Sequence, residues 1–347
     1  MADMKKLSII VPVYNMASDN RLTYCLDSLV SQTLRDPYEI LAVDDCSTDT
    51  SGEIIRDYAQ KYPDKVAALR TDRNRKQGGA KNVALSVATG EWIAFIDADD
   101  WVVPDYFERL LTVAAKTGAD CVGCDYSLVN THTMTPGQTV HNNREDQTGV
   151  LTEEKKGSLM IDFGSLCVKI YRREIILDCP SRFPEDMFYE DNALAKTWIF
   201  RMHHFEYIPE PLYFYYQHDD STVHTVTKAR LMDRVKAGRI MLQEAKRYGY
   251  LDTYKSQIEY SFTVLFYINT LFSCMRQMRE KGAYSFVRDL TGEMHTAFPD
   301  FESNPYYKTR TNGEEKKLIH LAGKSVFLFY VYYRLLLWYR KKRYGHI

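Results

Sequence analysis

The sequence predicts an α/β domain on a mostly parallel sheet, followed by a helical C-terminal region. Three observations carry this. Near-continuous apolar strands alternate with helical patterns over the first 125 residues, as in a parallel sheet covered on both faces. Polar residues gather where those strands end, at Asn15, Asp44, Asp45, Asp97, Asp99 and Asp100. Open α/β sheets bind ligands at those carboxyl ends. From Lys228 onward apolar residues recur at helical spacing, over Leu231 to Leu242 and Ile258 to Met278. The boundary is expected near residue 225, giving 1–225 as the α/β domain and 226–347 as the helical region.

Leu7 to Val13 is a continuous apolar strand. The run that contains it is broken by Pro12 and is too short and too early for a signal peptide. Leu22, Leu26, Leu29 and Val30 give helical spacing from Leu22 to Gln32. Glu39 to Val43 is a strand running into Asp44 and Asp45. Ser51 and Gly52 lead into a helix from Glu53 to Tyr62, stopped by Pro63, and Val66 to Leu69 is a short strand. Gly79 to Thr89 is a small-residue helix closed by Gly90. After the strand Trp92 to Ile96, Pro104 and Gly118 bracket a helix from Asp105 to Thr117. Asp120 to Val129 reads as a strand, and its Cys121 and Cys124 have no second pair and no nearby histidines. They read as strand interior rather than as a zinc or redox site. Residues 130–157 are polar, a long loop or short hairpin. Phe163 to Tyr171 is strand-like and Asp191 to Met202 helical.

A chain of 347 residues can bury a sizeable core. Its net charge of -1 gives no global electrostatic call for nucleic acid. Seven cysteines, an odd number with no N-x-[ST] site beside them, point to reduced thiols in a cytoplasm. No apolar run reaches the roughly 18 residues of a spanning helix. Val326 to Tyr339 is apolar and aromatic, broken by Arg334 and followed by Arg340, Lys341, Lys342 and Arg343. Residues 325–347 suit an interfacial anchor on anionic lipid, or a core helix capped by cations.

The strand Trp92 to Ile96 runs into Asp97, Ala98, Asp99 and Asp100, three carboxylates within four residues. Such charge repels itself unless a cation sits there, and hard oxygen ligands suit Mg²⁺ or Mn²⁺ carrying a diphosphate. Asp99 and Asp100 are the metal candidates, with Asp97 for a ribose or the metal's waters. An acidic loop of Asx turns has the same composition. Asp45 can accept from a base N–H, or its segment can cap the next helix. Gly78, Gly79 and Lys81 open a helix, where close backbone approach and a cation suit phosphate. Neither GxxxxGK[ST] nor GxGxxG is present. Glu190 and Asp191 supply a carboxylate base for a hydroxyl nucleophile, or ordinary first-turn acids. His218 is a phosphate contact, a metal ligand or a structural histidine.

Taken in order, Ser8 to Asn15, Val43 to Asp49, Asn74 to Asn82, Gly90 to Asp100 and Glu190-Asp191 form a pattern. The chain resembles the family-2 inverting glycosyltransferases of bacterial surface-polysaccharide synthesis, which have the GT-A (nucleotide-diphospho-sugar transferase) fold. The resemblance covers about residues 5 to 222. It implies that Pro12, Val13 and Tyr14 border the nucleotide base, that Asn15 belongs to the nucleotide-sugar site and that Asp45 contacts the base, usually uracil. Asp97, Asp99 and Asp100 become the DxD-type site for ribose, Mn²⁺ or Mg²⁺ and diphosphate, with Ala98, Gly79 and Lys81 on the nucleotide-sugar side. Asp191 becomes the general base and Glu190 its neighbour or an acceptor contact. Cys46 and Lys76 stand at usual glycine positions, and Lys81 replaces a common arginine, losing the bidentate fork.

The implied reaction is a single displacement with inversion, from a UDP-sugar to a glycan or lipid-linked acceptor. The sugar is a hexosyl or N-acetylhexosaminyl group, and the enzyme is cytoplasmic or peripheral at the membrane's inner face. The rivals are a nucleotidyltransferase or pyrophosphorylase, and a nucleotide-sugar-binding protein without catalysis. The first rival calls for an early Gly-rich phosphate loop, where this chain has Val11 to Asn15.

Overall fold

The computed structural model describes residues 4–218, 227–278 and 282–344. It divides into two compact units, Met1–Ser221 and Thr222–Ile347. The boundary expected near residue 225 lies outside the described residues.

The first unit opens with β1 (Leu7–Val13), α1 (Arg21–Val30), β2 (Tyr38–Asp44), α2 (Ser51–Lys61), β3 (Val66–Arg70), α3 (Lys76–Val87) and β4 (Trp92–Phe95). It continues with β5 (Trp101–Val102), α4 (Tyr106–Thr117), β6 (Cys121–Val129), β7 (Gln138–Val140), β8 (Gly149–Val150) and α5 (Glu153–Ile161). β9 (Lys169–Arg172), α6 (Arg173–Leu177), α7 (Glu190–Trp198) and β10 (His204–Tyr216) complete it. The sheet order is β3-β2-β1-β4-β9-β6-β10-β5, with β7 on β6 and β8 on β10. Its four longest pairings, β6 with β10, β1 with β2, β2 with β3 and β1 with β4, are parallel. Every residue of β1 is buried, which is why that strand reads as one apolar run.

β9 enters antiparallel between β4 and β6 and joins the two parallel halves. The strand expected over Phe163 to Tyr171 is shorter for a physical reason. Gly164 adopts φ +73°, and the carbonyls of Phe163 and Ser165 turn to the buried Lys169 ammonium at 2.7 and 2.8 Å. That turn takes residues 163–168 out of the sheet. β10 lies within a stretch whose sequence pattern is mixed. Pro209 and Pro211 lack N–H donors, and the β6–β10 register slips on both sides of Pro211. The polar 130–157 stretch holds β7 and β8.

The second unit is helical: α8 (Lys228–Arg247), α9 (Tyr250–Phe262), a π-turn over Thr263–Ile268, α10 (Asn269–Gln277), α11 (Ala283–Ala297), α12 (Pro305–Arg310), α13 (Gly313–Lys324) and α14 (Val326–Tyr344). Thr227, Asn304 and Asn312 cap α8, α12 and α13 through side-chain oxygens. A Cβ on Gly238 would lie 2.8 Å from Phe266 Cβ, so α8 needs glycine there. Among the described residues no helix is long and apolar enough to cross a membrane.

Candidate active site

The site is built at the carboxyl ends of β1, β2 and β4 and just past β10. Pro12 and Val13 are buried in β1, whereas Tyr14 is exposed. Asn15 takes a left-handed conformation, φ 55°. Its backbone N–H donates to Ser47 Oγ at 3.0 Å, and its Oδ1 accepts from Thr48 N–H at 2.8 Å. Asn15 therefore laces the β1 turn to the β2 turn.

Asp45 is buried. Its Oδ1 accepts from the Thr71 hydroxyl at 2.9 Å and the Arg75 N–H at 2.8 Å. Its Oδ2 is buried with no hydrogen-bond partner. Asp97 follows the same scheme at the end of β4. The Cys167 thiol sits 3.4 Å from Oδ2, and Oδ1 is buried without a partner. Burial pushes the Asp97 carboxyl up to about 6, Lys81 pulls it back and Asp99 adds to the rise. Buried acceptors are normally satisfied, so an orphaned one calls for an explanation.

Asp99 and Asp100 have different surroundings. Asp99 Oδ2 is 2.9 Å from His218 Nε2, and the His218 Nδ1 atom is buried with no partner. Asp100 is buried, with Oδ2 accepting from the Tyr213 hydroxyl at 2.6 Å and Oδ1 from the Tyr216 N–H at 2.8 Å. It fastens the loop after β4 to β10. Asp100, expected as a metal ligand, accepts one hydrogen bond from β10 on each oxygen.

Among the described residues no three His, Cys, Asp or Glu side chains gather to hold an ion. Asp99 with His218 fits a smaller share of the coordination. Adjacent ligands of an octahedral ion at about 2.1 Å lie about 3 Å apart, close to the observed Oδ2–Nε2 spacing. Mg²⁺-type sites often take only one or two protein ligands, the rest being substrate phosphate and water.

Lys81 and Glu190 form a buried ion pair. The Lys81 ammonium is 2.6 Å from Glu190 Oε1, and both side chains are buried. Gln77 Oε1 accepts from the same ammonium at 3.2 Å. Burial works against the charged lysine, but Glu190, Cys167, Asp97 and Asp191 outweigh it and hold its pKa above the ordinary value. Burial also raises the Glu190 carboxyl, and Lys81 opposes that rise. Lys81, expected on the donor side, is the buried counter-ion of Glu190. Glu190 opens α7, next to Asp191. The Asp191 Oδ1 accepts from the Asn192 N–H at 2.7 Å.

The glycines serve packing. A Cβ on Gly78 would lie 2.2 Å from the Pro184 carbonyl oxygen, and one on Gly79 would lie 2.2 Å from Arg75 Cβ. They admit close approach of protein at the start of α3. Arg73 pairs with Asp186, and Arg75 lies 3.5 Å from Glu185, so the 72–76 and 183–186 segments interlock. Cys167, Tyr213 and Tyr216 were outside the expected set, and no local motif marks them.

Residues 8–178 match the model of glycosyl transferase family 2. The chain carries a family-2 glycosyltransferase domain. The matched stretch holds Asp45, Lys81, Asp97 and Asp99 and ends before Asp191 and His218. The glycosyltransferase YibD of Escherichia coli, whose own description is uncharacterized, is 32% identical over 230 residues, 64% of each chain. Staphylococcus aureus TarS, a poly(ribitol-phosphate) beta-N-acetylglucosaminyltransferase, is 30% identical over 185 residues, 53% of this chain and 30% of that one. The chain thus spans less than two thirds of either relative. The crystal structure of S. aureus TarS 1-349 with UDP superposes with a TM-score of 0.71 at 20% identity, covering 98% of this chain and 92% of that one. The family-2 domain here has the GT-A fold.

Proposed function

We propose that the chain transfers a sugar from a nucleotide diphosphate, a UDP-sugar, to an acceptor hydroxyl with inversion at the anomeric carbon. The observation that carries this is the buried, partnerless Asp97 oxygen beside the Asp99–His218 pair within a family-2 domain. Asp45 offers one carboxylate oxygen, which suits the single ring N–H of uracil. Asp97 accepts from the ribose. A divalent ion held by Asp99 and His218 would neutralise charge on the departing diphosphate. Asp191 takes the acceptor proton as the new C–O bond forms, and the old C–O pair leaves with the diphosphate. The UDP complex of TarS supports uridine.

A hexosyl or N-acetylhexosaminyl group and a glycan or lipid-linked acceptor in surface-polysaccharide synthesis are the finer reading. The poly(ribitol-phosphate) of TarS's name supports a polymeric surface acceptor. Seven free cysteines support a reducing compartment such as the cytoplasm. The family match disfavours a nucleotidyltransferase. A sugar-nucleotide-binding protein without turnover is the remaining rival.

The test is thermal stabilisation by UDP, UDP-sugars and GDP-mannose, with and without Mn²⁺, in wild type and Asp99→Ala. A ligand that binds only the folded state raises Tm by mass action. Metal-dependent stabilisation by uridine nucleotides alone, lost in Asp99→Ala, is expected. No stabilisation by any nucleotide would overturn the reading. Binding without UDP release across an acceptor panel would favour the non-catalytic rival.

A further inference from the structure

The helix α14 buries one face and leaves another bare. Phe329, Tyr333 and Leu337 are buried. Tyr333 meets Phe272 of α10 edge-on at 5.6 Å, and Arg334 donates to the Met275 carbonyl at 2.8 Å. These contacts fix the helix on its own unit. Phe327, Leu328, Tyr332, Leu335, Trp338 and Tyr339 are each 48 to 62% exposed. At 100° per residue they span an arc of about 140°. A water-facing helix surface normally carries polar side chains. Here α14 has no acidic, amide, serine or threonine residue at all.

Charge continues the bare face. On the same arithmetic Lys342 falls inside the arc, with Lys341 and Arg343 at its margins. Lys342 lies over the Trp338 ring at 5.5 Å and Arg343 over Tyr339 at 5.9 Å. Arg340 is engaged by Glu314 at 2.7 Å. A second copy aligned in parallel would set these cations against each other. An anionic lipid surface takes both halves, with rings at the acyl boundary and cations at the phosphates.

We propose that α14 lies in the interfacial plane of an anionic membrane, with the Phe327-to-Tyr339 stripe inward and Lys341, Lys342 and Arg343 on lipid phosphate. This deepens the acceptor side of the proposed function by placing the enzyme where lipid-linked acceptors are. Its test involves no turnover, so it can fail while sugar transfer stands, and the reverse.

The experiment is flotation of the full chain with phosphatidylcholine vesicles, with or without phosphatidylglycerol, at low and high salt. Wild type is expected to float with the anionic vesicles and to be released by salt. Leu335→Glu/Trp338→Glu, at exposed positions, should weaken binding about tenfold or more with unchanged Tm and circular dichroism. Lys341→Glu/Lys342→Glu should remove the preference for anionic vesicles. Wild type that stays with the soluble fraction would overturn the proposal, as would a double-glutamate variant that floats equally. So would self-association abolished by Leu335→Glu/Trp338→Glu with no flotation, which would make the stripe an interface between copies.

Discussion

The Lys81 ammonium of α3 and the Glu190 carboxylate of α7 lie 2.6 Å apart, both buried, one residue from Asp191. The pair couples α3 to α7, the helix that carries Asp191, the base of the proposed reaction. Breaking a buried pair strands one charge, which costs about 3–5 kcal/mol, whereas replacing both partners is often near neutral. Lys81→Met should therefore destabilise by about that amount in urea unfolding. Lys81→Met/Glu190→Met should recover most of the stability but not the turnover. A double-variant loss equal to the sum of the two single losses would show that the two charges are independent.

Asp191→Asn should lower UDP release from the sugar donor by about 10²–10⁴-fold, the scale of a lost general base, and leave UDP affinity within about twofold. Calorimetric titration with UDP separates the two effects. A parallel loss of affinity would assign Asp191 to the donor pocket instead.

Neighbouring carboxylates should behave in opposite ways. Asp100→Ala abandons the Tyr213 hydroxyl and Tyr216 N–H inside the fold and should cost about 1–3 kcal/mol of stability. Asp99→Ala gives up a single contact, to His218, and should cost less stability than Asp100→Ala, yet abolish Mn²⁺-dependent stabilisation by UDP. Unfolding curves with and without Mn²⁺ and UDP give both numbers for each variant.

Lys169 is fully buried, and burial lowers its pKa from 10.5 to about 8. Its folded value lies below its unfolded value, so the unfolded chain binds the extra proton between them. The cost of burying the charge is full below about 8 and is relieved as pH rises toward the unfolded value. Wild type should gain on the order of 1–3 kcal/mol relative to Lys169→Met across that window. A stability difference that stays flat with pH would refute the shifted lysine.

His218→Ala should raise the Mn²⁺ concentration needed for UDP binding by at least about tenfold without changing the metal-free Tm by more than about 2 °C. Titrating Mn²⁺ against fixed UDP measures this. An unchanged Mn²⁺ requirement would return His218 to a structural role.

Most of the fold was legible. The apolar runs at Leu7 to Val13 and Trp92 to Ile96 and the helix brackets Pro104 and Gly118 are local signals, and β1, β4 and α4 fall on them. The carboxylates at the strand ends were equally plain, because a parallel sheet puts its loops there. What one strand or helix needs from its own neighbours in the chain is written as periodicity and punctuation. The antiparallel insertion of β9 between β4 and β6 had no such signal. Nor did the duties of individual charges. Lys81 and Glu190 are 109 positions apart and Asp100 and Tyr213 are 113 apart. A buried charge takes whatever partner the fold delivers, since leaving it unpaired costs more than any local preference. The sequence by itself determined which residues could do chemistry and at which sheet edge. Only the tertiary structure decided that Lys81 pairs with Glu190 and Asp100 with β10, while Asp45 Oδ2 and Asp97 Oδ1 keep no hydrogen-bond partner.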